Sequence, residues 1–221
     1  MLPLKLKNKF LKITCDGGAA TGKSTGAKLI AKKYKLAFLS SGLLYRYASY
    51  LILKHKPKNK ITFLQKKFRN LNYNKLNKIK LHTPEISTMS AKIAKILKIR
   101  NILKKYQKQF IKINNGCVLE GRDASTKILP NSDIKFYFIC NLNIAAMRRF
   151  KELKKTSKNI NFKDVKSAIR KRNLMDRSRK ISPLQKHPDA VVVNSSKMGK
   201  QMMLAKMSKY IERFLKSKYV N

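Results

Sequence analysis

Acidic residues are scarce in this chain: ten Asp and Glu stand against 53 Lys and Arg, which gives a formal net charge of +43 over 221 residues. A surface of this sign attracts polyanions, and nucleic acid is the obvious class of partner. The basic residues, however, recur along almost every segment instead of collecting in one tail or stripe. A bias acting on the whole chain is therefore favoured over a dedicated nucleic-acid surface, although non-specific binding of nucleic acid remains open.

Cysteine is rare, tryptophan is absent, and long apolar runs are missing. Cys15, Cys117 and Cys140 are odd in number and widely spaced within apolar surroundings, which argues against a disulfide framework and favours buried, reduced thiols. No apolar run approaches the about 18 residues that a membrane span requires. The basic segment 1–12 lacks the apolar stretch and cleavage site of a signal peptide. We expect a cytoplasmic monomer that does not bind membranes.

The few acids are unevenly placed. Five of the ten fall in segments that carry other functional signals, and in so basic a chain an acid is a poor default choice for the solvated surface. We therefore treat these five as candidate functional residues: Asp16, Glu85, Glu120, Asp123 and Asp176.

Five short runs alternate with helical patterns. Most of them are continuously apolar, as is typical of strands covered on both faces. This alternation predicts an α/β fold, a five-stranded parallel sheet flanked by helices, with ligands beyond the carboxyl ends of the strands. The predicted strands are residues 10–15, 36–39, 117–120, 134–140 and 190–194.

The interval 55–115 contains no convincing strand. Pro57 and several asparagines interrupt its first part, whereas residues 85–113 have the apolar spacing of a helix. We expect a helical insert here, within a single domain 1–221 whose core comprises 10–54 and 116–221. The polar segment after Arg148 and Arg149 is expected to be a short lid, at about 150–163.

Residues 17–24 read Gly-Gly-Ala-Ala-Thr-Gly-Lys-Ser, the full G-x-x-x-x-G-K-[ST] pattern of a P-loop, between a strand-like run and a helical pattern. Successive N–H groups of such a turn point inward at a helix N-terminus. Lys23 can then reach the β- and γ-phosphates of ATP, and the Ser24 hydroxyl can ligate Mg²⁺. The predicted nucleotide-binding residues are Gly17, Gly18, Ala19, Ala20, Thr21, Gly22, Lys23, Ser24 and Thr25.

Three further segments place arginines after predicted strands or near them: 40–46, 120–123 and 170–179. The guanidinium fork suits phosphate, and clustered arginines with Mg²⁺ offset the repulsion between two phosphorylated molecules. Singly, each arginine is as well explained by a solvated helix face or a structural ion pair. Their arrangement relative to the P-loop favours phosphoryl transfer.

The order and spacing of these segments, from residue 13 to about residue 195, resemble bacterial cytidylate kinase (CMP/dCMP kinase), within the P-loop nucleoside monophosphate kinases. The matching residues are Asp16-Gly17 with Lys23-Ser24-Thr25, Ser41-Gly42 with Tyr45-Arg46, Thr83-Pro84-Glu85, Glu120-Gly121-Arg122-Asp123 with Thr126, Arg148-Arg149, and Arg172, Asp176, Arg179, Pro183 and Leu184. The resemblance implies a five-stranded parallel core, a helical NMP-binding insert and a short lid.

The resemblance also implies that ATP donates its γ-phosphoryl group to CMP or dCMP. The implied catalytic residues are Lys23, Arg122, Arg148 and Arg149. The implied acceptor-binding residues are Ser41, Arg46, Arg122 and Arg179 for the phosphate, Arg100 and Asp123 for the cytosine edge, and Arg172 and Asp176 for the sugar. A carboxylate accepts from the cytosine amino group and repels the carbonyl that uracil has in its place.

The chain departs from the family pattern at Gly18, Ser40, His82, Ser125 and residues 173–175. An alternative hypothesis is a basic nucleic-acid-binding protein whose P-loop is non-catalytic or regulatory. The charge favours this alternative, and the ordered acceptor-site segments disfavour it.

Overall fold

The computed structural model describes residues 10–155 and 159–219. Five strands form one parallel sheet in the order β2-β3-β1-β4-β5, so the predicted α/β class and all five predicted strands are confirmed. The strands are β1 Lys12–Gly17, β2 Ala37–Ser40, β3 Cys117–Gly121, β4 Ile134–Ile139 and β5 Val191–Asn194.

The central strand β1 is buried on both faces, as its continuous apolar character predicts. Cys15 aligns with Glu120 of β3 on one side and with Phe136 of β4 on the other. Because the strands are parallel, the P-loop after β1 and the segment after β3 leave the sheet at the same edge.

Helices connect the strands. They are α1 Lys23–Lys33, α2 Ser41–His55, α3 Lys60–Arg69, α4 Pro84–Ile93, α5 Leu97–Ile113, α6 Leu142–Lys154, α7 Phe162–Ser178 and α8 Lys200–Tyr219. Asn59, one of the asparagines that predict an interruption, instead begins α3, because its side chain accepts hydrogen bonds from the amides of Ile61 and Thr62. The continuous helical pattern predicted for 85–113 is divided between α4 and α5.

The chain divides into two compact units. The first comprises the residues up to Phe38 and those from Asn114 onward, and its core joins Ile13, Phe136 and Phe138 of the sheet to the flanking helices. The second is Leu39–Ile113. It contains α2 together with α3, α4 and α5.

The predicted lid, about 150–163, includes residues 156–158, which lie outside the described residues. Its described parts belong to the end of α6 and the start of α7, where the rings of Phe150 and Phe162 pack edge to face with centroids 5.9 Å apart. Of the helices in the described ranges, none is both long enough and apolar enough to cross a membrane. The thiols of Cys15 and Cys117 are buried, and that of Cys140 is partly exposed.

Candidate active site

The phosphate-binding turn begins at Gly17, the last residue of β1. A Cβ atom there would lie 2.5 Å from the carbonyl oxygen of Phe138 in β4, so a side chain has no room where the two strands meet. Gly22 ends the turn with φ of 77°, in the left-handed region that favours glycine, and α1 begins at the next residue. The two motif glycines are thus explained by close strand packing and by the turn itself.

Helix α1 begins differently from its neighbours. Its N-cap is Gly22, which offers no side-chain hydrogen bond, whereas Ser40, Asn59 and Thr83 cap α2, α3 and α4. No capping side chain therefore occupies the positive end of the α1 dipole, which is the arrangement typical of helix ends that bind anions. Ser24 lies in this first turn with its side chain exposed.

Lys23 is buried inside the turn, with only 6% of its surface exposed. Its Nζ atom lies 3.3 Å from Oε1 of Glu120 and donates a hydrogen bond to the carbonyl oxygen of Gly18 at 3.1 Å. Burial, followed by the positive charge of Arg122, lowers the pKa of Lys23 to about 8 against an opposing effect of Glu120. Burial therefore disfavours the charged form of Lys23, and a polyphosphate beside it would stabilise that form.

Asp16 fixes the segment that follows β3. Its two carboxylate oxygens accept hydrogen bonds from the amides of Ala124 and Ser125 at 2.9 and 2.7 Å, and the Ser125 hydroxyl donates to it at 2.6 Å. Burial raises the pKa of this carboxyl, although the hydrogen bonds oppose the rise. Ser125, a departure from the family pattern, therefore supports the turn that carries Arg122 and Asp123.

Three guanidiniums surround the buried carboxylate of Asp176 in α7. Nε of Arg122 lies 2.8 Å and Nε of Arg172 3.1 Å from Oδ2, and Nη1 of Arg179 lies 3.6 Å from Oδ1. Burial raises the pKa of Asp176, but Arg122 and Arg172 outweigh it and hold the pKa at about 2. Nη2 of Arg179 also lies 4.0 Å from Oδ1 of Asp123. The cluster is positive overall, which suits a phosphate.

Arg148 and Arg149, both predicted as catalytic residues, have different contacts. Arg148 donates from Nη2 to the carbonyl oxygen of Ser195 at 2.7 Å and from Nη1 to its hydroxyl at 3.1 Å, and this hydroxyl donates to the Thr21 carbonyl of the P-loop at 2.7 Å. Arg149 instead forms an ion pair with the exposed Glu152. Sequence reasoning missed Ser195, although its place directly after β5 was a usable signal.

The second unit contains the other predicted acceptor residues. The Ser41 hydroxyl donates to Gln107 at 2.7 Å, and Arg46 donates to the Ser87 hydroxyl at 2.7 Å and to the Leu81 carbonyl at 3.1 Å. Arg100 is buried, donates to the Ala94 carbonyl, and lies over the ring of Tyr45 at 5.6 Å from its centroid. These contacts fix the three side chains within their own unit.

The first unit therefore brings together most of the predicted site residues. These residues form one connected network. Lys23 of the P-loop pairs with Glu120 of β3, and the segment after β3 pairs with α7 through two ion pairs, Arg122 with Asp176 and Asp123 with Arg179; Arg172 also pairs with Asp176.

Comparison with known proteins agrees with this geometry. A family model described as cytidylate kinase matches residues 13–213. The cytidylate kinase of Bartonella tribocorum is 35% identical over 92% of this chain and 95% of its own length, and that of Bartonella henselae is 32% identical over 94% and 97%. Among solved structures, the shikimate kinase of Bacteroides thetaiotaomicron, 11% identical, covers 91% of this chain and 98% of its own with a TM-score of 0.51, which supports the fold alone. The family match extends over nearly the whole chain and includes both the P-loop and the arginine cluster around Asp176. This protein therefore belongs to the cytidylate kinase family.

Proposed function

We propose that the protein transfers the γ-phosphoryl group of ATP to CMP or dCMP, giving ADP and CDP or dCDP. The observation that carries the proposal is the convergence, within one unit, of a P-loop lysine and the three guanidiniums held by Asp176. A kinase that joins two phosphorylated molecules must neutralise both, and this arrangement supplies cations for each.

The donor side is formed by the P-loop, residues 17–25. The amides at the start of α1 would bind the phosphates of ATP, and Lys23 would turn from Glu120 toward the β- and γ-phosphates. Its low pKa makes that exchange favourable, because a phosphate stabilises the charged form that burial disfavours.

Mg²⁺ fits this site through Ser24, whose exposed hydroxyl lies in the first turn of α1 beside the proposed phosphates. Among residues 10–155 and 159–219, no three His, Cys, Asp or Glu side chains group closely enough to hold a metal ion. In the proposal, the magnesium ion would be held by one or two protein oxygens together with substrate phosphates. When bound, the ion would neutralise charge on the transferring group.

The acceptor side would use the residues after β3 and those of α7. Arg122 and Arg179 would bind the acceptor phosphate, Asp123 would accept from the cytosine amino group, and Arg172 with Asp176 would contact the sugar. Asp123 suits base recognition because it is 5% exposed, so uracil would place its carbonyl oxygen against a buried carboxylate.

For the second unit the proposal rests on the family resemblance. Residues 55–115 would form the NMP-binding insert, in which Arg100 would bind the cytosine edge. Ser41 and Arg46, which precede the insert in sequence, would bind the acceptor phosphate. The segment 150–163 would act as the lid.

The chemistry is an in-line displacement. An oxygen of the acceptor phosphate forms a bond to the γ-phosphorus as the bond to the β–γ bridging oxygen breaks, and ADP leaves with that electron pair. The protein forms no covalent bond and acts by positioning and charge, with Lys23, Arg122, Arg148 and Arg149 near the transferring group.

A coupled ADP-release assay with CMP, dCMP, UMP, AMP and GMP tests the proposal. We expect turnover with CMP or dCMP above that with UMP, and far above that with the purines. Lys23→Met, matched by Lys28→Met on the exposed face of the same helix, is expected to lower the rate about 10²-fold or more. Salt-dependent RNA binding without any acceptor-stimulated ADP release would instead favour the nucleic-acid alternative, which the family match does not support.

A further inference from the structure

A side chain of α7 is bound directly to the P-loop. Oδ1 of Asn173 accepts a hydrogen bond from the backbone amide of Ala19 at 2.8 Å, across 154 residues of sequence. The same carboxamide fills the space beside Gly18, where a Cβ atom would lie 2.9 Å from Oδ1. The contact is therefore close to two consecutive residues of the turn.

Asn173 bonds to the turn at Ala19, before the positive-φ residues Ala20 and Gly22. The residues that turn the backbone inward are Ala20, with φ of 57°, and Gly22, with φ of 77°, and the uncapped amides of α1 follow them. Ala19 precedes this concave part. Asn173 thus holds the first half of the turn and leaves the anion-binding half to the nucleotide.

The same turn of α7 holds the arginine cluster. Arg172 precedes Asn173 and bonds to Asp176 one turn later, and Asp176 in turn binds Arg122. One rigid helix therefore contacts both the donor loop and the residues proposed for the acceptor.

We propose that Asn173 is a positioning residue that keeps the P-loop in its nucleotide-binding conformation and fixes it relative to the arginine cluster. The inference rests on the proposed function and concerns the same site. A turn with a positive φ at a non-glycine residue is costly to order. Without the Asn173 hydrogen bond, the free energy needed to order the P-loop would have to come from ATP binding, and the affinity for ATP would fall.

Asn173→Leu removes the acceptor at similar size, whereas Asn173→Asp keeps an oxygen for the Ala19 amide. The matched control is Leu174→Ala, since Leu174 is the next residue and 66% exposed. We expect the KM for ATP to rise about three- to tenfold in Asn173→Leu, the loss typical of one hydrogen bond, with kcat and the KM for CMP within about twofold. Asn173→Asp should lie closer to the wild type, and Leu174→Ala should match it.

A merely structural defect would lower the active fraction, and so kcat, without raising the KM for ATP. Hydrogen exchange at the Ala19 amide provides a second readout that needs no activity. Exchange of this amide should be faster in Asn173→Leu than in the wild type and should stay slow in Asn173→Asp. If Asn173→Leu does not fold, Asn173→Ala replaces it. Unchanged exchange, or an unchanged KM for ATP, overturns the inference. Absence of CMP-dependent ADP release in the wild type refutes only the proposed function, since the exchange result still decides whether Asn173 holds the loop.

Discussion

The lowered pKa of Lys23 predicts that ATP binding weakens as the pH rises through about 8. Burial lowers this pKa from 10.5 to about 8, so the side chain titrates within the range in which the protein can be assayed. Only the ammonium attracts phosphate, because a neutral amine carries no charge for a polyanion to neutralise. Binding should therefore be coupled to uptake of a proton by Lys23.

The size of the change in the Kd for ATP follows from the fraction of Lys23 side chains that are charged. With a pKa of about 8, roughly nine tenths of the lysines are charged at pH 7 and about one tenth at pH 9. If only the charged form binds tightly, the apparent Kd for ATP should rise about tenfold over this interval. Isothermal titration calorimetry at constant ionic strength, in buffers of different ionisation enthalpy, would measure the affinity and an uptake of about half a proton at pH 8.

The same shift has a defined sign for stability. Because the folded-state pKa lies below that of the unfolded chain, the charged form is disfavoured by folding, and the free energy of unfolding should rise as the pH increases from about 8 toward 10.5. Lys23→Met should show neither the pH-dependent affinity nor this contribution to stability. A wild-type Kd that stays constant from pH 7 to 9, or a variant with the same slope, would refute the assignment of this titration to Lys23.

Three other changes test separate parts of the site. Asp123→Asn should lower kcat/KM for CMP by about ten- to a hundredfold and narrow the gap to UMP, because an amide can donate to the uracil carbonyl; an unchanged ratio would remove Asp123 from base recognition. Ser195→Ala should lower kcat/KM for ATP by a few fold, because Arg148 and the Thr21 carbonyl lose their common hydroxyl partner. The control is Ser196→Ala, whose hydroxyl bonds to Asn141 and Asn194 and not to the P-loop, and its kinetics should stay at the wild-type level. Non-specific RNA binding should be measurable at low salt and should fade steeply as salt rises, whereas tight, sequence-selective binding at physiological salt would count against a chain-wide compositional bias.

The sheet and the P-loop could be predicted because their signals are local. Continuous apolar runs indicate buried strands, and the motif requires its own turn, so β1 and α1 follow from a few adjacent residues. The asparagines were harder to interpret, since the same residue type interrupts one helix and caps the next. Asn59 begins α3 for this reason.

The supporting contacts could not be predicted, because they join residues far apart in sequence. The bond from Ser125 to Asp16 spans 109 residues and that from Ala19 to Asn173 spans 154. Both Ser125 and Asn173 were visible only as departures from the family pattern. Their partners depend on where the strand ends and α7 come together in the fold.

The central claim, transfer of a phosphoryl group from ATP to a cytidine monophosphate, is tested most directly by following the phosphorus itself. ATP labelled with ³²P at the γ-position is incubated with CMP, Mg²⁺ and the protein, and the nucleotides are separated. The account predicts label in the β-phosphate of CDP, in step with ADP formation, and about 10²-fold less of it with Lys23→Met. Label released only as inorganic phosphate, or absent from CDP while ADP accumulates, would contradict it.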